Sequence, residues 1–522
     1  MAVDTKHPLY TIRLPQWTQM SDCYKGEQQI KSKTTDYLPA TEGMVIDGMD
    51  AGKPGKAAYD AYIARAVFHD FVKQAVESMV GIMHREEARI EVPDALKPIV
   101  ERMTIKGESA QMLLRRLNEW QLLYGRAGLL VEVPNGQTVD KARPFVALYA
   151  APSIINWDDG IRAEGQQRLE FVTFDESDFE RVGQFEWEYH NRYRVCAMSD
   201  AEGTLDANDQ SAAAAGGVYR VAALGQDKTD ISPTDWVTPS LGGRTMDRIP
   251  FVFVNTKDMV SDPDDPPLMG LSNLTLAVYR GEADYRQNLH LQGQDTLVII
   301  GADTEKSSRV GAGAQINLPR ESDAKYVGVG PDGLQQQKEA IENDKNAAGE
   351  MTTKLFDSTG TTYQSGEALR IRVSAKTATL TSIARTSGEA LREVLVLMAQ
   401  WMGLSESEQK KIVVEPNTDF AETMTASRTA LELSQSKSMG FPISQKSLHR
   451  FAVRNDLTEL TYEQEIEAIK AEEPLVPQTA QGIGGQAGGV LGRATGGSRV
   501  PRGAESNTPP SRERSAPANQ QQ

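Results

Sequence analysis

Cysteine is nearly absent from this chain: Cys23 and Cys196 are the two among 522 residues. They lie far apart and in no ligand-like spacing, which argues against a disulfide framework or a thiolate zinc site and reads as two reduced thiols. Long apolar runs are missing as well. Nothing approaches the ~18 residues of a membrane helix, and the nearest stretch, Val394–Leu404, is short and interrupted by Gln400. The start, Met1-Ala2-Val3-Asp4-Thr5-Lys6, lacks the charged-then-apolar pattern of a secretory signal, so a cytoplasmic origin is expected. Histidine is scarce, and His7, His69, His84, His190, His290 and His449 form no H-E-x-x-H or comparable pair. Neither a G-x-S-x-G elbow nor a P-loop is present. The expectation is a chain that is not an enzyme and uses no cofactor or metal.

Basic residues are also in deficit. Lys and Arg number 56 against 72 Asp and Glu, a net charge of −16. A phosphate-neutralising DNA binder needs clustered cations, and these are scattered. The nearest approach to a basic patch, Arg370, Arg372 and Lys376, reads more simply as helix-surface pairing with neighbours such as Glu367. An acidic chain can still surround DNA without gripping it, while the plainer consequence of the charge is solubility. The apolar fraction of 39% is low for a globular protein. The surface is therefore largely polar, or largely shared between subunits.

What is present is a length sufficient for two to four core-bearing segments. The first 55 residues, punctuated by Pro8, Pro15, Pro39 and Pro54, read as an extended arm. A helix follows over Lys56–His84, with Tyr59, Ile63, Val67, Val72, Val76, Met79 and Met83 as its apolar stripe. A second spans Ser109–Tyr124 and leads through Gly125-Arg126-Ala127-Gly128 into a strand, Leu129–Val133. From Phe145 to Val254 the signals are β, and Phe185, Trp187 and Tyr189 alternate with Glu186 and Glu188 as in a half-buried strand. An α+β domain with a twisted antiparallel sheet is predicted here, with Ala201–Gly217 as a polar loop.

The stretch Ile249–Gly403 is the most telling. The strand-like Ile249–Val254 leads to a helix at Asn273–Gln292, with a narrow seam of Leu274, Val278, Tyr285 and Leu289. A Gly/Ser-rich excursion, Gly301–Gly333, precedes a very polar helix at Leu334–Leu355, whose apolar anchors are Leu334, Ile341, Met351 and Leu355. The loop Asp357–Gly366 opens a helix at Ser365–Met402, about 57 Å long at 1.5 Å per residue. Its stripe is Leu369, Val373, Leu380, Ala384, Leu391, Leu395, Met398 and Met402, with a slight bend expected at Gly388. Long, sparsely apolar helices suit an assembly in which copies supply one another's contacts. Helices at Ala421–Ser438, Gln445–Arg454 (Ser444 as its N-cap) and Tyr462–Glu472 follow. From Pro474 to Gln522 the Gly/Ala/Pro/Gln composition predicts disorder.

Two local motifs invite chemistry. Gly328-Val329-Gly330-Pro331-Asp332-Gly333 matches the dinucleotide fingerprint, but the following Leu334-Gln335-Gln336-Gln337 has no apolar face to lie on a sheet and no second parallel strand follows. A glycine-rich turn is the simpler reading, with an oxidoreductase as the remote alternative. Asp262-Pro263-Asp264-Asp265-Pro266 lacks calcium-loop spacing and reads as a solvated loop.

The order of these parts resembles the portal proteins of tailed bacteriophages over Trp17–Glu473. The residues carrying the resemblance are Tyr24-Lys25-Gly26, Asp36-Tyr37-Leu38-Pro39, Tyr62-Ile63-Ala64-Arg65-Ala66, Val80-Gly81-Ile82-Met83 and Tyr124-Gly125-Arg126-Ala127-Gly128. They continue with Ile154-Ile155-Asn156-Trp157, Ile249-Pro250-Phe251-Val252, Gly270-Leu271-Ser272-Asn273-Leu274 and Lys437–Ser444. The resemblance implies an α+β wing at 56–268 and a first stem helix at 269–300. It implies a small β-containing clip at 301–333, a second stem helix at 334–356 and a tunnel loop at 357–366. A spine helix at 367–403 and a helical crown at 404–473 complete the subunit.

The same resemblance implies a homo-oligomeric ring, typically of twelve subunits, at one capsid vertex of a virion assembled in a bacterial cytoplasm. The ring would act as the channel for genome packaging and ejection. Its implied partners are the terminase large subunit, head–tail adaptor proteins, the major capsid and scaffolding proteins, and double-stranded DNA passing without sequence readout; no membrane is involved. Another head–tail connector or structural oligomer is the nearer alternative. A conduit that lets a polyanion slide should be lined by polar groups that are not strongly basic. The tunnel loop Ser358-Thr359-Gly360-Thr361-Thr362-Tyr363-Gln364 meets that condition. Tyr363 would either wedge against DNA or a neighbour, or pack on its own helix.

Overall fold

The computed structural model describes residues 2–134, 143–160, 168–199, 217–225, 228–292, 296–300, 323–327, 331–352, 366–418, 420, 444–454, 458 and 460–471. For 292, 296–299, 323–327, 331–332, 352, 366–376, 451, 454, 469 and 471 it describes the backbone alone. Two compact units divide the chain, Met1–Phe441 and Pro442–Gln522. The first unit is α+β, as its sequence pattern predicts.

The N-terminal residues are helical, correcting the extended arm. Helix α1 spans Pro8–Lys25, with Pro8 at the first helical turn and the His7 ring accepting from Leu9 N at 3.2 Å. Proline is tolerated at that position because its missing N–H would have no helical partner. Tyr10, Trp17, Met20 and Cys23 form the buried stripe, so tertiary burial overrides the interior Pro15. Short helices α2 (Glu27–Ser32) and α3 (Glu42–Ile46) follow. The single helix expected over Lys56–His84 is two, α4 (Pro54–Arg65) and α5 (Phe71–Met83). The extended Ala66 between them (ψ 142°) leaves Phe68 free to meet Tyr279 edge-on at 5.8 Å.

Strand β1 (Arg89–Glu91), helix α6 (Lys97–Val100) and helix α7 (Ala110–Tyr124) come next, the last capped by Ser109 at its start. At its other end Gly125 adopts φ 73°, and a Cβ there would meet the Asp265 carbonyl oxygen at 2.7 Å. A left-handed cap and a close backbone approach together require glycine. The expected single sheet is two principal sheets. Strands β2 (Arg126–Glu132), β3 (Phe145–Ala150) and β11 (Phe251–Asn255) form one, in the order β11-β2-β3. The other joins β4 (Ile154–Asp158), β5 (Phe171–Asp175), β8 (Tyr193–Met198), β9 (Tyr219–Leu224) and β10 (Trp236–Val237), in the order β10-β9-β8-β5-β4. Strands β6 (Asp178–Arg181) and β7 (Trp187–His190) pair only with each other. The half-buried strand expected around Trp187 is therefore a separate ribbon whose aromatics are exposed.

Helix α8 (Met269–Gln292) leads to an antiparallel hairpin, β12 (Thr296–Ile300) with β13 (Asp323–Val327). Helix α9 (Pro331–Thr352) follows, and then α10, the 37-residue helix Gly366–Met402. Toward its middle α10 buries Leu380, Ile383 and Ala384 in a core shared with α1, α4, α5 and α8. Its second half buries Leu391, Val394, Leu395, Met398 and Trp401 against α7 and the sheets. One helix thus spans both cores. Gly388 lies where the two meet: a Cβ would come within 2.7 Å of the Pro416 ring, so close packing accounts for this glycine. After helix α11 (Glu406–Gln409), strand β14 (Val413–Glu415) pairs with β1. In the second unit, helices α12 (Gln445–Arg454) and α13 (Tyr462–Ala471) are as predicted, and Ser444 Oγ accepts from Ser447 N at 3.1 Å as the N-cap.

Candidate functional site

The sequence pattern points to the segment from α8 to α10, and the fold makes α8 its anchor. Asn288 bonds Gln337, Gly281 abuts Ile341, and Glu282 bonds Lys345, so positions rise along α8 as they fall along α9. The two helices are antiparallel, with the β12–β13 hairpin at their shared end. The predicted seam of Leu274, Val278, Tyr285 and Leu289 is only partly the buried one. Leu271, Thr275, Leu276, Val278, Tyr279 and Ala283 are buried, whereas Leu289 is 43% exposed. The buried surface is broad because α8 touches α1, α4 and α5 as well as α9. On α9, Ile341 and Ala348 are buried and Met351 is exposed.

A buried carboxylate ties the pair together. Glu282 accepts from Lys345 Nζ at 2.5 Å and from Arg286 Nε at 2.8 Å, with His69 Nε2 3.8 Å away. Burial works to raise the Glu282 pKa, but the hydrogen bonds and charges of Lys345 and Arg286 outweigh it and hold the group below the usual carboxylate range. Sequence reading missed this cluster; the Glu282–Arg286 spacing of one helical turn was its available signal.

The motifs of the N-terminal third converge on the same helix. Tyr62 donates to Asp284 at 2.5 Å, and Arg65 bonds Gln287. Gln19 donates to Ser272 Oγ at 2.9 Å and to Asn273 at 2.8 Å, joining α1 to the first turns of α8. Tyr24 and Tyr37 brace the support, donating to Glu119 and Asp22, each at 2.7 Å.

Arg126, from the same set of motifs, is fully buried. Its guanidinium carbon lies 4.2 Å from the ring centroids of both Trp157 and Phe253, and among the described residues its nitrogens have no hydrogen-bond partner. Burial pushes its pKa down to about 9, against the upward pull of Asp262 and Asp159. The cation is held by two aromatic faces.

Beside α10 runs an open groove of about 780 Å³, lined on one wall by Lys257, Asp258 and Met259 and on the other by Thr381, Ser382 and Arg385. Ser382 and Thr386 donate to the Thr256 carbonyl oxygen at 2.9 and 3.2 Å, and Asp258 accepts from Asn255 Nδ2 at 2.9 Å. Lys257 and Arg385 carry no ion pair among the described residues.

The tunnel-loop residues Ser358, Thr359, Gly360, Thr361, Thr362, Tyr363 and Gln364 lie outside the described residues, as do Ala421–Ser438 and the Pro474–Gln522 tail. So do the side chains of Arg370, Arg372 and Lys376. Of the glycine motif, 328–330 are likewise outside, while Pro331, Asp332 and Gly333 begin α9. The strand before it, β13, pairs antiparallel with β12, which is not the buried parallel unit a dinucleotide requires. In the acidic loop, Asp264 caps Thr256 through its N at 3.1 Å and Oγ1 at 2.5 Å, and Asp265 pairs with Arg13. Burial pushes the Cys23 thiol up to about 11 and Cys196 up to about 12, so neither is a nucleophile near neutrality.

A family described as a domain of unknown function (DUF4055) matches residues 267–402, the segment from the approach to α8 through the end of α10. No curated protein sequence matches the chain. Among solved structures, a chain from the virion of a native gene transfer agent particle superposes with a TM-score of 0.39 at 12% identity, covering 78% of this chain and 98% of that one. A chain from the neck of an empty particle of that type, computed with C6 symmetry, gives 0.36 at 13% identity over 75% and 90%. One from the neck of a native particle, computed with C12 symmetry, gives 0.34 at 13% over 72% and 88%. Superpositions at this level are partial and decide neither fold nor role.

Proposed function

We propose that this chain is the subunit of a portal ring, a non-enzymatic conduit through which double-stranded DNA enters and leaves a phage-type capsid. The observation that carries the reading is the α8–hairpin–α9 unit followed directly by α10, in the order the resemblance requires of stem, clip, stem and spine. The pair holds itself together through Glu282 and Lys345, yet leaves Leu289, Leu291 and Ile300 exposed near its hairpin end. Apolar groups left open at the end of a polar helix pair are supported by neighbours in a closed ring. The α+β part, 56–268, is then the wing, and 301–333 the clip.

In this reading Ser358–Gln364 face the axial channel, where an uncharged hydroxyl-bearing lining lets a polyanion slide. Terminase, adaptor, capsid and scaffolding proteins are the partners, and the virion is the destination. Assembly of particles with and without the chain tests this directly: the reading expects capsids lacking it to contain no DNA, and capsids filled normally without it would refute it. The remote alternative, a dinucleotide-dependent oxidoreductase, predicts a saturable rise in melting temperature with added dinucleotide; the conduit reading expects none.

A further inference from the structure

The β6–β7 ribbon carries aromatic side chains that are exposed in the single chain. Pairing sets Phe179 opposite Tyr189, Arg181 opposite Trp187, Glu180 opposite Glu188 and Asp178 opposite His190. Residues two apart, and residues directly opposed, share a face, so Phe179, Arg181, Trp187 and Tyr189 lie on one side and Asp178, Glu180, Glu188 and His190 on the other; Arg192 pairs with Glu180 at 2.6 Å, and His190 lies 3.8 Å from Glu188. The aromatic side is open to solvent: Phe179 is 61%, Trp187 62% and Tyr189 56% exposed. Phe185 at the turn is 83% exposed. At 150–250 Å² per aromatic side chain this is roughly 500 Å² of apolar surface, the size that marks a contact site. A two-stranded ribbon alone is marginal in water, so its aromatic side needs a surface to lie on.

The groove beside α10 is the complementary feature. The hydroxyls of Ser382 and Thr386 and the carboxylate of Asp258 are engaged within the chain, and Glu389 accepts from Arg392 at 2.9 Å. That leaves the cations of Lys257 and Arg385, together with the apolar Met259, which is 37% exposed. A protrusion with aromatic rings on one face and Glu188 on the other fits a groove with Met259 and Lys257 on one wall and Arg385 on the other, since a cation over an aromatic face is favourable. Head-to-tail closure of a ring uses two different surfaces of each copy, which is what one protrusion and one groove provide.

We propose that the β6–β7 ribbon of one copy seats in the α10 groove of the next, its aromatic face toward Met259 and its acidic face toward Arg385. The proposal rests on the ring reading and names the contact that closes it. The test uses the full chain carrying Gln184→Cys at the ribbon tip together with Met259→Cys at the groove; the native Cys23 and Cys196 are buried and add little background. Mild oxidation of assembled protein is expected to give a ladder of covalent oligomers, and each single cysteine variant none. A second measurement uses charge: Glu188→Lys and Arg385→Glu are each expected to lower the ring fraction about tenfold, and the two together to recover most of it. Rings that form without a ladder, or that ignore both charge reversals, overturn the contact while leaving the ring reading standing. A wild-type chain that stays monomeric overturns both.

Discussion

The carboxylate of Glu282 on α8 lies 2.5 Å from the ammonium of Lys345 on α9, sixty-three positions away in sequence. The side chain of Glu282 is 6% exposed and that of Lys345 27%, so the pair is withdrawn from water on one side and reached by it on the other. It fixes the antiparallel register of the two helices at one point. An account in which these helices form a stem makes this pair the internal clamp of each copy, with the faces that meet neighbouring copies lying elsewhere.

Acid should loosen that clamp. The folded-state pKa of Glu282 is held below its unfolded value, so its stabilisation is fully present above the ordinary carboxylate range and is lost as pH falls through the lowered value. Thermal melts between pH 7 and 3 should therefore show a steeper loss for wild type than for Glu282→Gln. Glu282→Ala at neutral pH should cost about 2 kcal/mol, below the usual loss on breaking a fully buried pair because Lys345 is partly solvated.

The long helix offers a harsher test. Leu380 is 3% exposed within the core shared by α1, α4, α5 and α8. Leu380→Asp places an unpaired carboxylate there, at a cost of several kcal/mol, on the order of 3–5. Size-exclusion chromatography with light scattering should find no stable assembly. Normal rings from this variant would mean that this part of the stripe is not buried in the working particle.

Arg126 separates two ways of filling one site. Its nitrogens are buried without partners, and its folded pKa is depressed, so the charge opposes folding. Replacement of an uncompensated buried charge by a well-packed apolar chain is often neutral or stabilising. Arg126→Met should leave the melting temperature unchanged or raise it, whereas Arg126→Ala should lower stability by about 2–4 kcal/mol through the cavity between Trp157 and Phe253. Calorimetry of both variants checks the sign.

The proposed channel position of Ser358–Gln364 makes a functional prediction. Removing Thr359–Gln364 should leave ring formation intact and reduce DNA packaging or retention, read by particle density. Loss of rings on deletion would place this segment in the subunit contacts and not on the channel.

Periodicity made much of this fold legible. The α10 stripe stood in the sequence, with Leu380, Ala384, Leu391, Leu395 and Met398 all buried as expected. So did α7, α12, α13 and most strands of the α+β part. What failed was punctuation. Pro8 and Pro15 read as breaks, but Pro8 opens α1 where no N–H is needed and Pro15 stands inside it, where burial of Trp17 and Met20 outweighs a missing N–H. The run from Lys56 to His84 concealed the kink at Ala66 that brings Phe68 to Tyr279. Trp187 and Tyr189 alternate as if half-buried, but alternation specifies a face and not what covers it. Of the Glu282 cluster only the Arg286 spacing was legible, because Lys345 and His69 reach it from distant parts of the chain.

Image averages of the purified full-length protein, viewed down the particle axis by cryo-electron microscopy, test the central claim most directly. The account predicts closed, turbine-like rings with a central hole, each copy contributing its α8–α9 pair around the axis. A well-folded solitary particle at high concentration, still able to support DNA packaging, would contradict it.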